Sequence, residues 1–246
     1  MDHPPDQPIR VVFALLDGSL VLDWAGPAEA LRIANQFLRE RGQPERFVVE
    51  FASPSPSTVS SVGVQLSGLA PLPARWDGPA WVVLVGQPGR IINVESDAAS
   101  QLIHWLRGQR FASGRLELLT ICAGSLLAAH AGVLSGRRAT THHHHLQELR
   151  ETDARCDVVA NRVFVVDPPV YSSAGVTTGI DLVLHRIGEV CGAALAAQVA
   201  QTMVVAQRRG PHDPELSPFL AHRNHLHAAL HRVQDAVSEM PQHDWN

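Results

Sequence analysis

Cys122 lies where a buried-strand pattern changes into a helix of small residues, and Gly124 follows two positions later. This arrangement is typical of a nucleophile elbow, a sharp strand-to-helix turn that lifts one side chain above the edge of a sheet. The positive end of the helix favours thiolate over thiol there, and the backbone N–H groups after the turn can stabilise an oxyanion. The alternative interpretation is a small buried cysteine at the end of a strand.

The elements around this cysteine alternate between apolar runs and helical patterns, which predicts an α/β sandwich with a mostly parallel sheet. Strands are predicted at 9–16, 47–51, 81–85, 116–121 and 170–173, with a short strand or hairpin arm at 62–66 and a hairpin from 158–160 and 163–166. Helices are predicted at 28–39, with Pro27 in the first turn, and at 97–110, 142–151, 181–190 and 193–205. Ligands bind at the carboxyl ends of such strands. Residues 17–23, Gly86 and Cys122 are predicted to lie there.

A change of composition after residue 207 predicts two parts, an α/β domain over 1–207 and a linker with an amphipathic helix over 208–246. The helix is predicted at 221–240 because apolar residues recur there at helical spacing. They are Leu226, Leu230, Val233, Val237 and Met240. This stripe needs a partner, which is either the α/β domain or a second copy in a homodimer.

Composition argues against several classes of function. A net charge of −4 offers no global basic surface for nucleic acid. The three widely spaced cysteines form neither a disulfide framework nor a zinc pattern, so we expect a reducing, cytoplasmic location. Residues 1–8 are polar and proline-rich, unlike a secretory signal, and no apolar run is long enough to span a membrane.

Histidine is abundant, with 14 residues of which four are consecutive. On a helix, His143, His144 and His145 would point in different directions, so we expect no shared metal ion there. His227 and His231 lie four apart on one predicted face, but no third ligand is evident. The sequence therefore predicts no metal site and no cofactor.

Four motifs together resemble the ThiJ/PfpI superfamily, whose members are class I glutamine-amidotransferase-like. They lie at 22–27, 122–125, 131–142 and 172–181. The resemblance covers about residues 9–207 and is closest to isonitrile-hydratase-like proteins and to the N-terminal domains of AraC-type transcriptional regulators. It implies a three-layer, flavodoxin-like sandwich with a mostly parallel sheet and a C-terminal helix. Residues 217–225 resemble the connector that precedes the helix-turn-helix domain in those regulators.

The resemblance also implies the residues of a site. Cys122 matches the elbow cysteine, Asp23 the acidic residue beside it, and His142 the histidine near it. Gly86 matches the glycine whose N–H faces the pocket. In an enzyme, this N–H and that of Ala123 would hold the developing negative charge.

Two positions depart from the family pattern. Ala123 stands where hydratase-like members carry a hydroxyl residue, and Gln87 stands where many members have a second glycine. Losing a hydroxyl beside the nucleophile removes a hydrogen-bond donor and argues against hydratase chemistry.

The preferred hypothesis is therefore the ligand-sensing and dimerisation domain of an AraC-type regulator, with a small-molecule pocket at Cys122. On this hypothesis, DNA is bound only through a helix-turn-helix domain that is not in this chain. The alternative is a cysteine-dependent hydratase or hydrolase, in which Cys122 attacks a small electrophile and Asp23 transfers protons.

Overall fold

The computed structural model describes residues 7–205, 208–216 and 227–244. The strands in these ranges are β1 (Ile9–Ala14), β2 (Phe47–Ala52), β3 (Ser57–Val59), β4 (Gln65–Ser67), β5 (Ala80–Leu84), β6 (Leu116–Ile121), β7 (Arg138–Ala139), β8 (Asp157–Val158), β9 (Phe164–Asp167) and β10 (Val170–Ser173). The helices are α1 (Val21–Glu40), α2 (Asp97–Arg107), α3 (Gly124–His130), α4 (Leu146–Thr152), α5 (Thr178–Cys191), α6 (Ala193–Thr202) and α7 (Ala228–Glu239). A short 3-10 helix, His143–His145, precedes α4.

A six-stranded sheet forms the centre of the molecule, in the order β2-β1-β5-β6-β10-β9. All its neighbouring strands are parallel except β9, which pairs antiparallel with β10. Strands β5 and β6 are buried along their whole length, as their continuous apolar runs predict. Helices α1, α5 and α6 pack together, and α2 and α4 both pack on α3. The predicted α/β sandwich with a mostly parallel sheet is confirmed.

The sheet brings the carboxyl ends of β5, β6 and β10 together, because these three strands are adjacent and parallel. The segments that follow them begin at Val85, Cys122 and Ala174. This sheet edge is where an open α/β fold binds its ligands. Helix α1 follows β1, the other neighbour of β5, and contributes its first turn to the same edge.

One predicted hairpin is wrong. Residues 158–160 and 163–166 do not pair with each other: β8 pairs with β7, and β9 turns back through Pro168 and Pro169 to pair with β10. Joining the main sheet buries the apolar residues of β9, whereas an isolated two-stranded hairpin is marginal in water.

Several boundaries also differ. Helix α1 begins at Val21, so Pro27 lies inside it and not in its first turn. The helix predicted at 142–151 is a 3-10 turn followed by α4. Residues 62–66 contribute to a hairpin formed by β3 and β4.

The C-terminal amphipathic helix appears in the described residues as α7, and its apolar stripe is solvent-exposed. The predicted connector at 217–225 and the predicted start of this helix lie outside the described residues. Within the described ranges, no helix combines the length and the apolar character needed to cross a bilayer.

Candidate functional site

Cys122 occupies the turn between β6 and α3 with a backbone φ of +56°. This left-handed conformation is uncommon for a residue with a side chain and is a form of strain often found at functional sites. The Cys122 N–H donates to the carbonyl of Ser173 at 3.1 Å, which ties the turn to β10. A Cβ added at Gly124 would lie 2.5 Å from the carbonyl oxygen of Leu84, so only glycine permits this approach of α3 to β5.

Asp23 is fully buried in the first turn of α1, and two backbone groups bind its carboxylate. Gly86 N–H donates to Oδ2 at 2.9 Å, and Val176 N–H donates to Oδ1 at 3.1 Å. These bonds join the loop after β5 and the loop after β10 to α1. They also explain why α1 starts earlier than its sequence pattern indicates, since its first turn is held by tertiary contacts.

The carboxylate and the cysteine lie side by side across Gly86. A Cβ added at Gly86 would lie 2.9 Å from Cys122 Cβ and 3.0 Å from Asp23 Oδ2. The structure thus brings together Cys122, Asp23 and Gly86, which the sequence placed on three separate segments. Any side chain at position 86 would occupy the space between the other two.

Gly175 covers the cysteine from the β10 side. Its φ is +109°, and a Cβ added there would lie 2.4 Å from Cys122 Cβ and 2.7 Å from Sγ. Only 4% of the surface of Cys122 is accessible to solvent. The thiol is therefore enclosed by backbone and does not stand open to solvent.

This enclosure reverses the expected ionisation of the cysteine. Burial, and to a smaller extent the neighbouring Asp23 carboxylate, raises the pKa of Cys122 to about 12, even though the N–H groups of Ala123 and Val176 lower it. The expectation that the helix start would favour thiolate does not hold, because desolvation outweighs the helix dipole. Burial also raises the pKa of Asp23 to about 6, even though Gly86 and Val176 donate to it.

The two N–H groups expected to hold an oxyanion are not both available. Gly86 N–H already donates to Asp23, and Ala123 N–H faces the sulfur. Gln87, which replaces a family glycine, donates from Nε2 to the carbonyl of Asp17 at 2.5 Å and so ties this loop to the end of β1.

His142 is half-buried and belongs to a different set of contacts. Its Nδ1 accepts from the backbone N–H of His144 at 3.3 Å, and its ring centroid lies 4.1 Å from that of His143. Burial, together with the charges of the neighbouring histidines, lowers the pKa of His142 to about 4. Among the described residues, no hydrogen bond joins His142 to Cys122. The preceding residue makes the link instead, since Thr141 donates from Oγ1 to the carbonyl of Cys122 at 2.9 Å.

Residues 208–216, here called the anchored segment, reach this part of the molecule from the C-terminal side. Arg209 binds the Asp181 carboxylate through Nε at 2.9 Å and Nη2 at 2.6 Å. The carbonyl of Asp213 accepts from Val163 N–H at 3.0 Å. Glu215 accepts from His143, and its charge adds to the rise in the pKa of Cys122. The anchored segment is therefore held against the α/β body, with Glu215 near enough to Cys122 to affect its pKa.

Sequence reasoning missed Val176, Thr141 and Glu215. Val176 has a φ of +50°, which is unusual for a β-branched residue, and its N–H serves both Asp23 and the sulfur. No signal in the sequence identifies a valine as a donor, because only its backbone takes part. Gly175, just before it, approaches Cys122 so closely that a Cβ there would clash with the cysteine.

The fold and this constellation define an α/β protein with a cysteine at a strained strand-to-helix turn beside a buried carboxylate. Residues 10–189 match the DJ-1/PfpI family, and the chain belongs to that family. The chain is 31% identical over 202 residues to the HTH-type transcriptional regulator CdhR of Pseudomonas aeruginosa, covering 82% of this chain and 56% of that protein. It is 32% identical over 121 residues to isonitrile hydratase of Pseudomonas putida, covering 48% of this chain and 50% of the hydratase.

A solved structure gives the same picture of the fold. The crystal structure of an AraC family transcriptional regulator from Pseudomonas putida superposes with a TM-score of 0.68 at 20% identity, over 80% of this chain and all of that one. At this identity the likeness shows the shared fold. The chain spans little more than half the length of the regulator CdhR that it matches.

Proposed function

We propose that this chain is the ligand-sensing and dimerisation part of an AraC-family transcriptional regulator, with a small-molecule site around Cys122. The observation that carries the proposal is the similarity to CdhR, which extends over 82% of this chain but only 56% of the regulator. DNA would be bound by a separate helix-turn-helix domain outside the region of similarity.

The chemistry of the elbow supports binding over turnover. A thiol whose pKa is raised to about 12 is a poor nucleophile at neutral pH, because the thiolate is the reactive form. Gly86 N–H is engaged by Asp23, so an oxyanion would have to displace a buried carboxylate from its donor. Asp23 is fully buried, so a ligand reaches it only when the loops of Gly86 and Val176 open. Such a ligand would need neither a thiolate nor a free oxyanion site.

The contacts of the anchored segment offer a way for ligand binding at the site to affect the rest of a regulator. It precedes α7 in the sequence, and its ion pair with Asp181 and its bond with His143 hold it against the α/β body. A ligand that changes these contacts would shift the population of segment positions in proportion to its differential affinity.

The ligand-binding part is tested with a panel of small polar metabolites and the melting temperature of the whole chain. A small polar metabolite that binds at Asp23 should raise the melting temperature of the wild type and of Cys156→Ser. The shift should be lost in Asp23→Asn. A shift that survives in Asp23→Asn would place the site elsewhere and contradict the proposal.

The DNA-binding part is tested by gel shift with the same chain. We expect no sequence-specific shift, because the net charge is −4 and the described residues include no recognition helix. Tight specific binding would contradict the assignment of DNA contact to another domain.

We assign dimerisation to α7, whose Leu230, Val233 and Val237 are 49%, 56% and 40% exposed along one face. A second copy would bury this stripe. Val233→Glu should shift the sedimentation coefficient toward the monomer, and Ala228→Glu, on the opposite face, should not. Equal behaviour of the two variants would exclude α7 as the interface.

A second candidate is a cysteine-dependent hydratase, favoured by the similarity to isonitrile hydratase and by the position of Cys122 and Asp23 on either side of Gly86. It predicts turnover of a simple alkyl isonitrile that disappears in Cys122→Ser and persists in Cys156→Ser. That result would favour the enzyme over the sensor.

A further inference from the structure

The backbone at residues 142–145 brings neighbouring histidine rings together. His142 is extended, with φ −55° and ψ 139°, and the next three residues form a 3-10 turn. The ring centroids of His143 and His144 lie 4.3 Å apart, and that of His142 lies 4.1 Å from His143. A ligand nitrogen from each of the three lies within 4.8 Å of the other two. Adjacent histidines on an α-helix would diverge, so this convergence depends on the turn.

The buried Glu215 carboxylate is hydrogen-bonded to His143, one of the three histidines. His143 Nδ1 and Glu215 Oε1 lie 2.8 Å apart, and the backbone N–H of His143 donates to the same oxygen at 3.2 Å. The Glu215 side chain is only 8% exposed. Because Glu215 Oε1 already accepts from the His143 backbone N–H, it also suits an Nδ1–H donor, and that tautomer leaves the Nε2 lone pair for an ion. A carboxylate that fixes a histidine in this way is the common outer support of a metal-bound imidazole.

We propose that His142, His143 and His144 bind a divalent transition-metal ion of the Zn²⁺ type, with Glu215 orienting His143. Imidazole suits Zn²⁺, and three protein nitrogens with solvent in the fourth position form an open tetrahedral site. Zn–N bonds of about 2.0–2.1 Å place the nitrogens about 3.4 Å apart. The rings therefore rotate inward by small amounts from their present spread of 4.8 Å.

The hydrogen bonds that such an ion would replace are weak. His142 Nδ1 is already an acceptor, but its donor is the amide of His144 at 3.3 Å. His145 has a different partner, because its Nδ1 lies 2.7 Å from Glu148 Oε2. The structure thus separates the fourth histidine of the tract from the other three.

Metal binding at this place would tie two parts of the molecule together. His142 follows Thr141, whose hydroxyl donates to the carbonyl of Cys122. Glu215 belongs to the anchored segment. An ion that draws His143 inward acts on both the elbow turn and the anchored segment, and its binding does not depend on the sensor role of Cys122.

The test is isothermal titration of Zn²⁺ into the whole chain, made without an affinity tag, together with the visible spectrum of Co²⁺ in the same site. We expect one ion per chain and an intense tetrahedral Co²⁺ band. His143→Ala should weaken Zn²⁺ binding by more than about 100-fold, and Glu215→Gln by about 10- to 100-fold. His104→Ala, which changes an exposed histidine on α2, should bind like the wild type.

Three results would overturn the proposal. The first is the absence of Zn²⁺ binding by the folded wild type. The second is equal affinity of wild type and Glu215→Gln, which would mean that the carboxylate supports no ligand. The third is equal affinity of the folded chain and the chain unfolded in guanidinium, since a mere run of histidines would bind in both states. Circular dichroism of each variant confirms that it is folded before the comparison is made.

Discussion

Replacing Asp23 with asparagine probes the buried carboxylate through the pH dependence of stability. Burial raises the pKa of this carboxyl from 3.8 to about 6, so the native state holds the proton more tightly than the unfolded chain. The stabilisation by the protonated form is fully present below about pH 3.8 and is lost as the pH rises through about 6. At about 1.36 kcal/mol per pH unit, the whole change is about 3 kcal/mol, and roughly half of it falls between pH 5 and pH 7.5.

Asp23→Asn removes this titration but also removes an acceptor. An amide offers one oxygen, so either Gly86 N–H or Val176 N–H loses its partner at every pH, at a cost of about 1–3 kcal/mol. The cost is constant, whereas the stability of the wild type minus that of the variant should fall by about 1.5 kcal/mol from pH 5 to pH 7.5.

The measurement is guanidinium unfolding followed by tryptophan fluorescence at several pH values for both proteins. Asp77→Asn is the control, because its side chain is 86% exposed and lies away from the elbow. The quantity to follow is the free energy of unfolding of the wild type minus that of Asp23→Asn. The reasoning would be refuted if this difference changed by less than about 0.5 kcal/mol between pH 5 and pH 7.5, or if it rose with pH.

Three further substitutions test the packing at Gly175 and the ion pair of the anchored segment. Gly175→Ala should destabilise the fold by about 2–4 kcal/mol, because the new Cβ would lie 2.4 Å from Cys122 Cβ at a φ of +109°. Gly136→Ala, with φ +75° and nothing within 4 Å, should cost about 1 kcal/mol, and equal losses in chemical unfolding would contradict the clash. Arg209→Ala should speed hydrogen exchange in the anchored segment and lower stability by about 2 kcal/mol, because the buried Asp181 carboxylate loses the guanidinium and keeps only the backbone N–H of residue 209. Unchanged exchange would show that the ion pair does not hold the segment.

The strand pattern of the sheet was readable from the sequence, but the pairing of the short strands was not. Strand β6 has the predicted bounds, since its apolar residues are buried on both faces. From local propensity, β9 could pair either with residues 158–160 or with β10. It pairs with β10 because β10 belongs to the main sheet.

The same division holds at the site. Cys122, Asp23 and Gly86 were identified from motifs, and the structure places Cys122 and Asp23 next to Gly86. The ionisation of the cysteine was predicted wrongly, because the helix dipole is a local property whereas desolvation depends on Gly175, which is far away in sequence.

The sequence by itself determined the α/β class, the order of the main elements and the turn that carries Cys122, because apolar periodicity and small residues act over a few positions. Only the tertiary structure decided that the thiol is enclosed and protonated, that Val176 donates to Asp23, and that Glu215 meets His143. Each of these features joins segments that are distant along the chain. Burial and charge at such contacts are set by the packing of the whole molecule, and no local pattern encodes them.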